Sequence, residues 1–178
     1  VKPKFFILEN VASMSKESKE LISKELFNIE PILINSSLLV AQQRKRLYWI
    51  GKLQQDGTYK KVEIEQPQDK GILLKDILEI PLNQEEFVGN LFNKRIFIEK
   101  VGTLGTGSGR TNKQGMCVFK DGWRFIRKLT PIEYEILQGF PVGYTKDISN
   151  TQRYKALGNS FTVPVIEHIL KAIFKYNN

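Results

Sequence analysis

The run Lys4-Phe-Phe-Ile-Leu-Glu9 constrains this chain most. Four consecutive apolar residues, closed by an acid and an asparagine, predict a buried strand of an α/β sheet with its C-terminal edge at Glu9-Asn10. Open α/β sheets bind ligands beyond that edge, so Glu9 stands at a candidate site. A helix is expected next, over about 16–28, capped by Ser13 or Ser15. Glu17 in its first turn suits the helix dipole, and Leu21, Ile22, Leu26 and Phe27 supply an apolar face. Pro31-Ile-Leu-Ile-Asn35 predicts a second strand, and Leu47-Tyr-Trp-Ile50 a third, stopped by Gly51. The polar cluster Gln42-Gln-Arg-Lys-Arg46 lies between them. Strand–helix–strand–strand is a piece of an α/β sheet, with too few strands for a whole doubly wound domain. More strands are therefore expected upstream of Val1.

The composition changes after Gly51. Residues 54–70 are polar and charged, and Asp56-Gly57 signals a hairpin. Residues 71–78 predict a short amphipathic helix or a docking segment, ended by Pro81. Residues 94–101 alternate basic and apolar, as an exposed strand does. Gly102-Thr-Leu-Gly-Thr-Gly-Ser-Gly-Arg-Thr-Asn-Lys-Gln-Gly115 is a long glycine-rich, hydroxyl-rich, basic loop. Gly105-x-Gly-x-Gly109 within it is not read as a nucleotide loop, because no capped helix follows. Residues 116–119 resume a strand.

Arg127-Lys-Leu-Thr-Pro-Ile-Glu-Tyr-Glu-Ile-Leu-Gln-Gly-Phe-Pro141 has both helix ends written in it. Thr130 and Glu133 form a capping box, with Pro131 as first helical residue. Leu129 is placed to pack on Tyr134 as a staple, and Gly139 fits the left-handed position that ends a helix. Ile132, Ile136 and Leu137 are expected to form the apolar face. The chain then runs irregularly to Tyr154, turns at Ala156-Leu-Gly-Asn-Ser160, and ends in a helix. Thr162 caps that helix, Pro164 lies in its first turn, and Ile166, Ile169, Leu170 and Ile173 share one face.

A net charge of +8 and a pI near 9.5 point either to a polyanionic partner, nucleic acid first, or to a lysine-rich surface kept for solubility. One cysteine excludes an internal disulfide, and one cysteine with one histidine argues against a zinc site. No apolar run approaches the roughly 18 residues of a membrane span. The N-terminal run has no secretory signal pattern, so a cytoplasmic protein is expected.

Four blocks, in order, resemble the C-terminal half of a DNA cytosine-5 methyltransferase. They are Glu9-Asn10-Val11, Gln42-x-Arg44-x-Arg46, Arg127-x-Leu-Thr-Pro-x-Glu133 continuing through Leu137-Gln-Gly-Phe-Pro141, and Gly158-Asn-Ser160 with Val163-Pro-Val165. The last two are specific, and the resemblance spans nearly the whole chain. Its short recognition stretch looks closest to the animal de novo type and its bacterial and phage relatives. The resemblance implies an α/β fold: the C-terminal part of a Rossmann-like, S-adenosylmethionine-dependent methyltransferase sheet. A small, mainly β or irregular target-recognition domain accompanies it. The boundaries expected are a partial catalytic domain over 1–53, recognition over 54–126, a joint helix and hinge over 127–149, and a return to the catalytic domain over 150–178.

In that family a thiolate adds to C6 of a flipped cytosine, and C5 then attacks the methyl group of S-adenosylmethionine. By resemblance, Glu9 would stabilise the charge that develops at N3, a contribution of ~10²–10⁴-fold. Arg46 would hold the base near O2 and the flanking phosphate, and Arg44 would order the site. Asn159 and Ser160 would face the cofactor. In the loop, Thr103, Thr106, Ser108 and Lys113 suit phosphate contacts. Arg110 suits either a guanine edge or a phosphate. Arg127 is expected to be a structural tie.

Two family features have no counterpart. No proline precedes a cysteine, so the Pro-Cys nucleophile is missing, and Cys117 is expected to be buried filler. The glycine-rich first cofactor block is missing too. The expected partners are double-stranded DNA and an N-terminal half, in cis or as a separate subunit, with no membrane. A non-catalytic DNA-binding module, the second subunit of a split enzyme and an RNA methyltransferase remain as alternatives. Lysine-, isoleucine- and asparagine-rich usage suggests a bacterial or phage source, with restriction-modification as the setting.

Overall fold

The computed structural model describes residues 2–78, 100–106 and 129–175. These divide into two compact units. One comprises residues 2–35, 45–67 and 168–175; the other comprises 36–44 and the described residues from 68 to 167.

The first unit is built on a four-stranded sheet. Strand β1 spans Phe5–Val11, β2 Ile32–Asn35, β3 Lys45–Leu53 and β4 Tyr59–Lys61. The longest strand, β3, lies between β1 and β2 and runs antiparallel to both. β2 lies opposite residues 45–48, and β4 opposite residues 51–53. β1 ends the strand order, so one of its edges has no strand beside it among the described residues. It is half-buried from Phe5 to Asn10 rather than fully buried as expected.

Gly51 does not stop β3. It pairs with Phe6, whose ring sits 2.2 Å from where a Cβ would be, so the glycine makes room for an aromatic cross-strand neighbour. The hairpin expected at Asp56-Gly57 forms. Gly57 has φ +79°, and the Asp56 carboxylate accepts the Thr58 N–H at 2.9 Å.

Helix α1 (Lys16–Glu25) starts at Ser15, whose hydroxyl accepts the Ser18 N–H at 3.1 Å. It is shorter than expected, and Phe27 and Asn28 follow it at positive φ. Ile22 and Leu26 join a cluster around Ile29, Leu47 and Trp49, whose indole donates to the Ser23 hydroxyl at 2.9 Å. Leu21 and Phe27 do not face that core; they are 60% and 46% exposed.

In the second unit, residues 71–78 form one 3-10 turn at Leu74–Asp76 instead of a helix. Helix α2 (Pro131–Gln138) has the expected ends. Thr130 Oγ1 accepts the Glu133 N–H at 3.1 Å, Glu133 Oε2 accepts the Thr130 N–H at 2.8 Å, and Gly139 has φ +78°. Leu129 and Tyr134 share one core with Leu104, Leu137 and Leu157. Burial pushes the Tyr134 hydroxyl up to about 12, with nearby Tyr154 adding to the shift. The buried face is not the one expected, since Ile132 and Ile136 are only half-buried. Glu133, Tyr134, Glu135, Leu137 and Gln138 are buried instead.

Helix α3 (Asn150–Asn159) replaces the irregular run and the turn expected at 156–160. Ser149 caps it, accepting the Gln152 N–H at 3.4 Å. Gly158 lies in its last turn because a Cβ there would fall 2.4 Å from the Gly105 carbonyl oxygen. Close backbone contact therefore overrides the turn preference of Gly-Asn.

Helix α4 (Val163–Lys175) buries Val165, Ile169 and Ile173, while Leu170 is 37% exposed. Its buried line thus runs one position earlier than expected at its start. The Thr162 hydroxyl, expected as a cap, donates to Gln138 Oε1 at 3.0 Å. Among the described residues no helix is long and apolar enough to cross a membrane.

Candidate functional site

Antiparallel register brings two of the predicted residues together. Glu9 on β1 faces Tyr48 on β3, and Val11 faces Arg46, so Glu9 and Arg46 are diagonal neighbours on one face of the sheet. Arg46 Nε lies 3.2 Å from Glu9 Oε1, with 13% and 24% of the two side chains exposed. Arg46 Nη1 also donates to the Lys45 carbonyl at 2.9 Å. Asn10 Oδ1 accepts the Val11 N–H at 2.7 Å, which fixes the chain just beyond the acid. The result is a carboxylate and a guanidinium, side by side and partly open, at the C-terminal end of an α/β strand. Such a pair can accept a hydrogen bond from an amine and offset charge on a neighbouring oxygen.

Arg44, two residues before Arg46, belongs to the second unit and is 6% exposed. Its guanidinium donates to three backbone carbonyls: Leu104 at 3.5 Å, Gly158 at 3.3 Å and Ser160 at 2.8 Å. It therefore fastens the root of the glycine-rich loop to the end of α3.

Gln42 adds to that fastening. Its amide donates to the Leu137 carbonyl and to Gln138 Oε1, both at 3.2 Å, and its Oε1 accepts the Leu104 N–H at 3.1 Å. Gln138 in turn donates to the Leu157 carbonyl at 2.7 Å. Both glutamines are fully buried. A parallel bridge between Gln42 and Val101 completes the seat, with Gln43 N–H donating to the Val101 carbonyl at 2.7 Å. The sequence does not announce this buried amide pair. Its two members stand 96 positions apart, and glutamine carries no periodic signal, although Gln42 lies in one of the four family-like blocks.

Asn159 is exposed at the last position of α3, while the Ser160 hydroxyl donates to the Leu157 carbonyl at 2.8 Å. Of the predicted DNA contacts, Thr103 gives its hydroxyl to the Gln43 carbonyl at 2.9 Å, and Thr106 is exposed. Ser108, Arg110 and Lys113 lie outside the described residues, as do Cys117 and Arg127.

Sequence reasoning also misses the Glu135 clamp. This carboxylate is fully buried. It accepts from Gly143 N–H at 2.6 Å, Thr145 N–H at 2.8 Å, the Thr145 hydroxyl, and Arg153 Nη2 at 3.0 Å. Burial pushes the carboxyl up, but the bonds from Thr145, Arg153 and Gly143 together hold it below its ordinary value. The clamp fixes the loop after Pro141, which by sequence reads as irregular.

A family model described as C-5 cytosine-specific DNA methylase matches residues 1–114 and 97–175. The type II methyltransferase M.HpaII of Haemophilus parainfluenzae is 29% identical over 223 aligned residues, covering 97% of this chain and 61% of that protein. The type II methyltransferase M1.ScrFI of Lactococcus lactis subsp. cremoris is 27% identical, over 98% of this chain and 52% of its own length. Among solved structures, the Entamoeba histolytica methyltransferase EhMeth superposes with a TM-score of 0.72 at 21% identity. It covers 99% of this chain and 64% of that one. The chain thus spans roughly half to two thirds of the length of these three proteins. The structural likeness shows the expected α/β, Rossmann-like methyltransferase fold. With the family model matching nearly every residue, the chain belongs to the C-5 cytosine-specific DNA methylase family.

Proposed function

We propose that this chain is the C-terminal part of a DNA cytosine-5 methyltransferase, acting on a cytosine flipped out of duplex DNA. The observation that carries the reading is the Glu9–Arg46 pair, 3.2 Å apart at the C-terminal end of β1. Glu9 binds the N3–N4 edge of the base and stabilises charge developing at N3. Arg46 holds the O2 side and the flanking phosphate. Arg44 is a positioning residue, since its guanidinium is given to backbone carbonyls. The glycine-rich loop reads the duplex through Thr106, Ser108, Arg110 and Lys113, with Thr103 at its root.

S-adenosylmethionine supplies an electrophilic methyl group when bound. The residues that fit it here are few: Asn159 presents an exposed amide at the end of α3, with Ser160 beside it. They make a rim of a pocket whose larger part, with the thiolate, lies in an N-terminal half. The outer edge of β1 supports that reading. A seven-residue strand with one edge unpaired among the described residues is a place for another strand to add, in cis or from a separate subunit.

Incubating the chain with labelled S-adenosylmethionine and duplex DNA is expected to give no transfer. Adding a segment that bears a Pro-Cys pair and a glycine-rich first strand is expected to restore it. Turnover by the chain alone would sink this account. Failure of every such segment would favour a DNA-binding module without catalysis. In the complete enzyme, Glu9→Gln is expected to lower turnover by ~10²–10⁴-fold with little change in DNA affinity. Loss of binding at an unchanged single-turnover rate would remove Glu9 from the chemistry.

A further inference from the structure

The first unit carries a second concentration of charge, at the other end of β3 from Arg46. In β3 and β4 the Cα partner of Lys52 is Lys60. Like charges directly opposite on neighbouring strands repel, and nothing in strand pairing requires lysine at either position. Lys61 follows Lys60, and the N-terminal Lys2 and Lys4 lie against the same hairpin. Lys2 Nζ donates to the Gly57 carbonyl at 2.6 Å, and the Leu53 N–H donates to the Lys4 carbonyl at 2.9 Å. The ammonium groups of Lys4 and Lys52 both stand over the Phe5 ring, 6.0 and 5.7 Å from its centre.

Two acids of this hairpin, Asp56 and Glu63, are both engaged. Asp56 is committed to the turn. Hydrogen bonds from Thr58, first its hydroxyl and then its N–H, hold that carboxyl below its ordinary value. Glu63 pairs with Lys61 at 3.0 Å. Lys2, Lys4, Lys60 and Lys61 are all exposed. The surface between the strands is a shallow concavity of about 730 Å³ lined by Lys52, Lys60, Lys61, Gln54, Gln55 and Asp56 among others.

We propose that this hairpin face is a phosphate-backbone contact for duplex DNA, separate from the recognition loop and from the Glu9–Arg46 pair. Lys52 stands six positions along β3 from Arg46, about 20 Å at the usual rise of a strand. The face therefore meets DNA well away from the target base. Lysines bind phosphate as point charges without reading bases, so the contact is independent of sequence. A polyanion seated there also relieves the repulsion between Lys52 and Lys60. The choice of duplex DNA as the polyanion rests on the proposed function; the site itself rests on the charge geometry.

The test is fluorescence anisotropy of the full chain with a short labelled duplex, titrated from about 50 to about 200 mM salt. Lys52→Gln combined with Lys60→Gln is expected to weaken binding equally for unrelated duplex sequences. It should also reduce the slope of log affinity against log salt by about 2, one for each lysine withdrawn from a phosphate. Lys60→Glu provides a check that does not depend on the double variant folding. It places an opposite charge across from Lys52, so the DNA-free chain should melt at a higher temperature while duplex affinity falls. An unchanged salt slope, or no duplex binding by the wild-type chain at the lowest salt, would overturn the proposal. So would a double variant that loses single-stranded RNA binding but keeps the duplex. Absence of methyl transfer in the complemented enzyme, with the slope change intact, would sink the catalytic reading and leave this site standing.

Discussion

Glu9 in the first unit and Glu135 in the second each face an arginine, Arg46 at 3.2 Å and Arg153 at 3.0 Å. Their surroundings otherwise diverge. The Glu135 side chain is fully enclosed and takes four donors, so burial is offset by hydrogen bonds and the group is fixed. Glu9 is 24% exposed at a strand end, where an incoming group can still reach it. The same chemical pair is therefore used once as a rivet and once as an open hand. What separates the two uses is how far each carboxylate is closed off from solvent, 24% exposed in Glu9 and 0% in Glu135.

The comparison can be broken most severely at the rivet. Glu135→Ala strands Arg153 and the donors of Thr145 and Gly143, and is expected to cost about 3–5 kcal/mol in urea unfolding. A loss below about 1 kcal/mol would mean the clamp is dispensable. The same carboxylate gives a pH signature. Its folded pKa is depressed below its ordinary 4.5, so its contribution is present above that value and lost as pH falls through the lower folded value. Melting temperature should therefore drop in acid, and Glu135→Gln should lower the starting stability and flatten that drop.

Gly158→Ala comes next. Its Cβ would meet the Gly105 backbone, which cannot swing aside as a side chain can, so a cost of about 1–3 kcal/mol is expected in the same assay. Thr130→Ala removes one half of the capping box on α2 and is expected to cost about 1 kcal/mol. The smallest effect belongs to the open pair. Glu9→Gln should change stability by less than about 1 kcal/mol, in contrast to its effect on turnover. A loss as large as that of Glu135→Ala would turn Glu9 into a second rivet and erase the distinction.

Features set by neighbours in the chain are readable in advance. The Thr130–Glu133 box, the left-handed Gly139, the Ser15 cap and the Asp56-Gly57 turn each follow from a few adjacent residues. The pairing of Glu9 with Arg46 is half readable: the blocks name the residues, and only strand register puts them side by side. Misreadings come where distant contacts overrule local preference. Gly51 reads as a stop until Phe6 is seen lying on it, and Gly158-Asn159 reads as a turn until Gly105 is seen pressed against the helix. Buried polar groups are the least legible. Glu135, Gln42 and Gln138 sit at core positions that a hydrophobic pattern assigns to solvent, because their partners lie elsewhere in the chain.

The start of the glycine-rich loop is held by the buried side chains of Val101 and Leu104 and by polar contacts made largely to its main chain. Arg44 holds the carbonyl of Leu104, Gln42 holds its N–H, and Gly158 rests against the backbone of Gly105. A socket of that kind does not ask which side chains the loop carries beyond it. Under the recognition role proposed for this loop, exchanging the residues from Thr106 onward while keeping 101–105 should change the sequence read without loss of stability, which duplex-binding and melting measurements on such a graft would check. For anyone grafting recognition loops between relatives, Gly105 marks the natural place for the first cut.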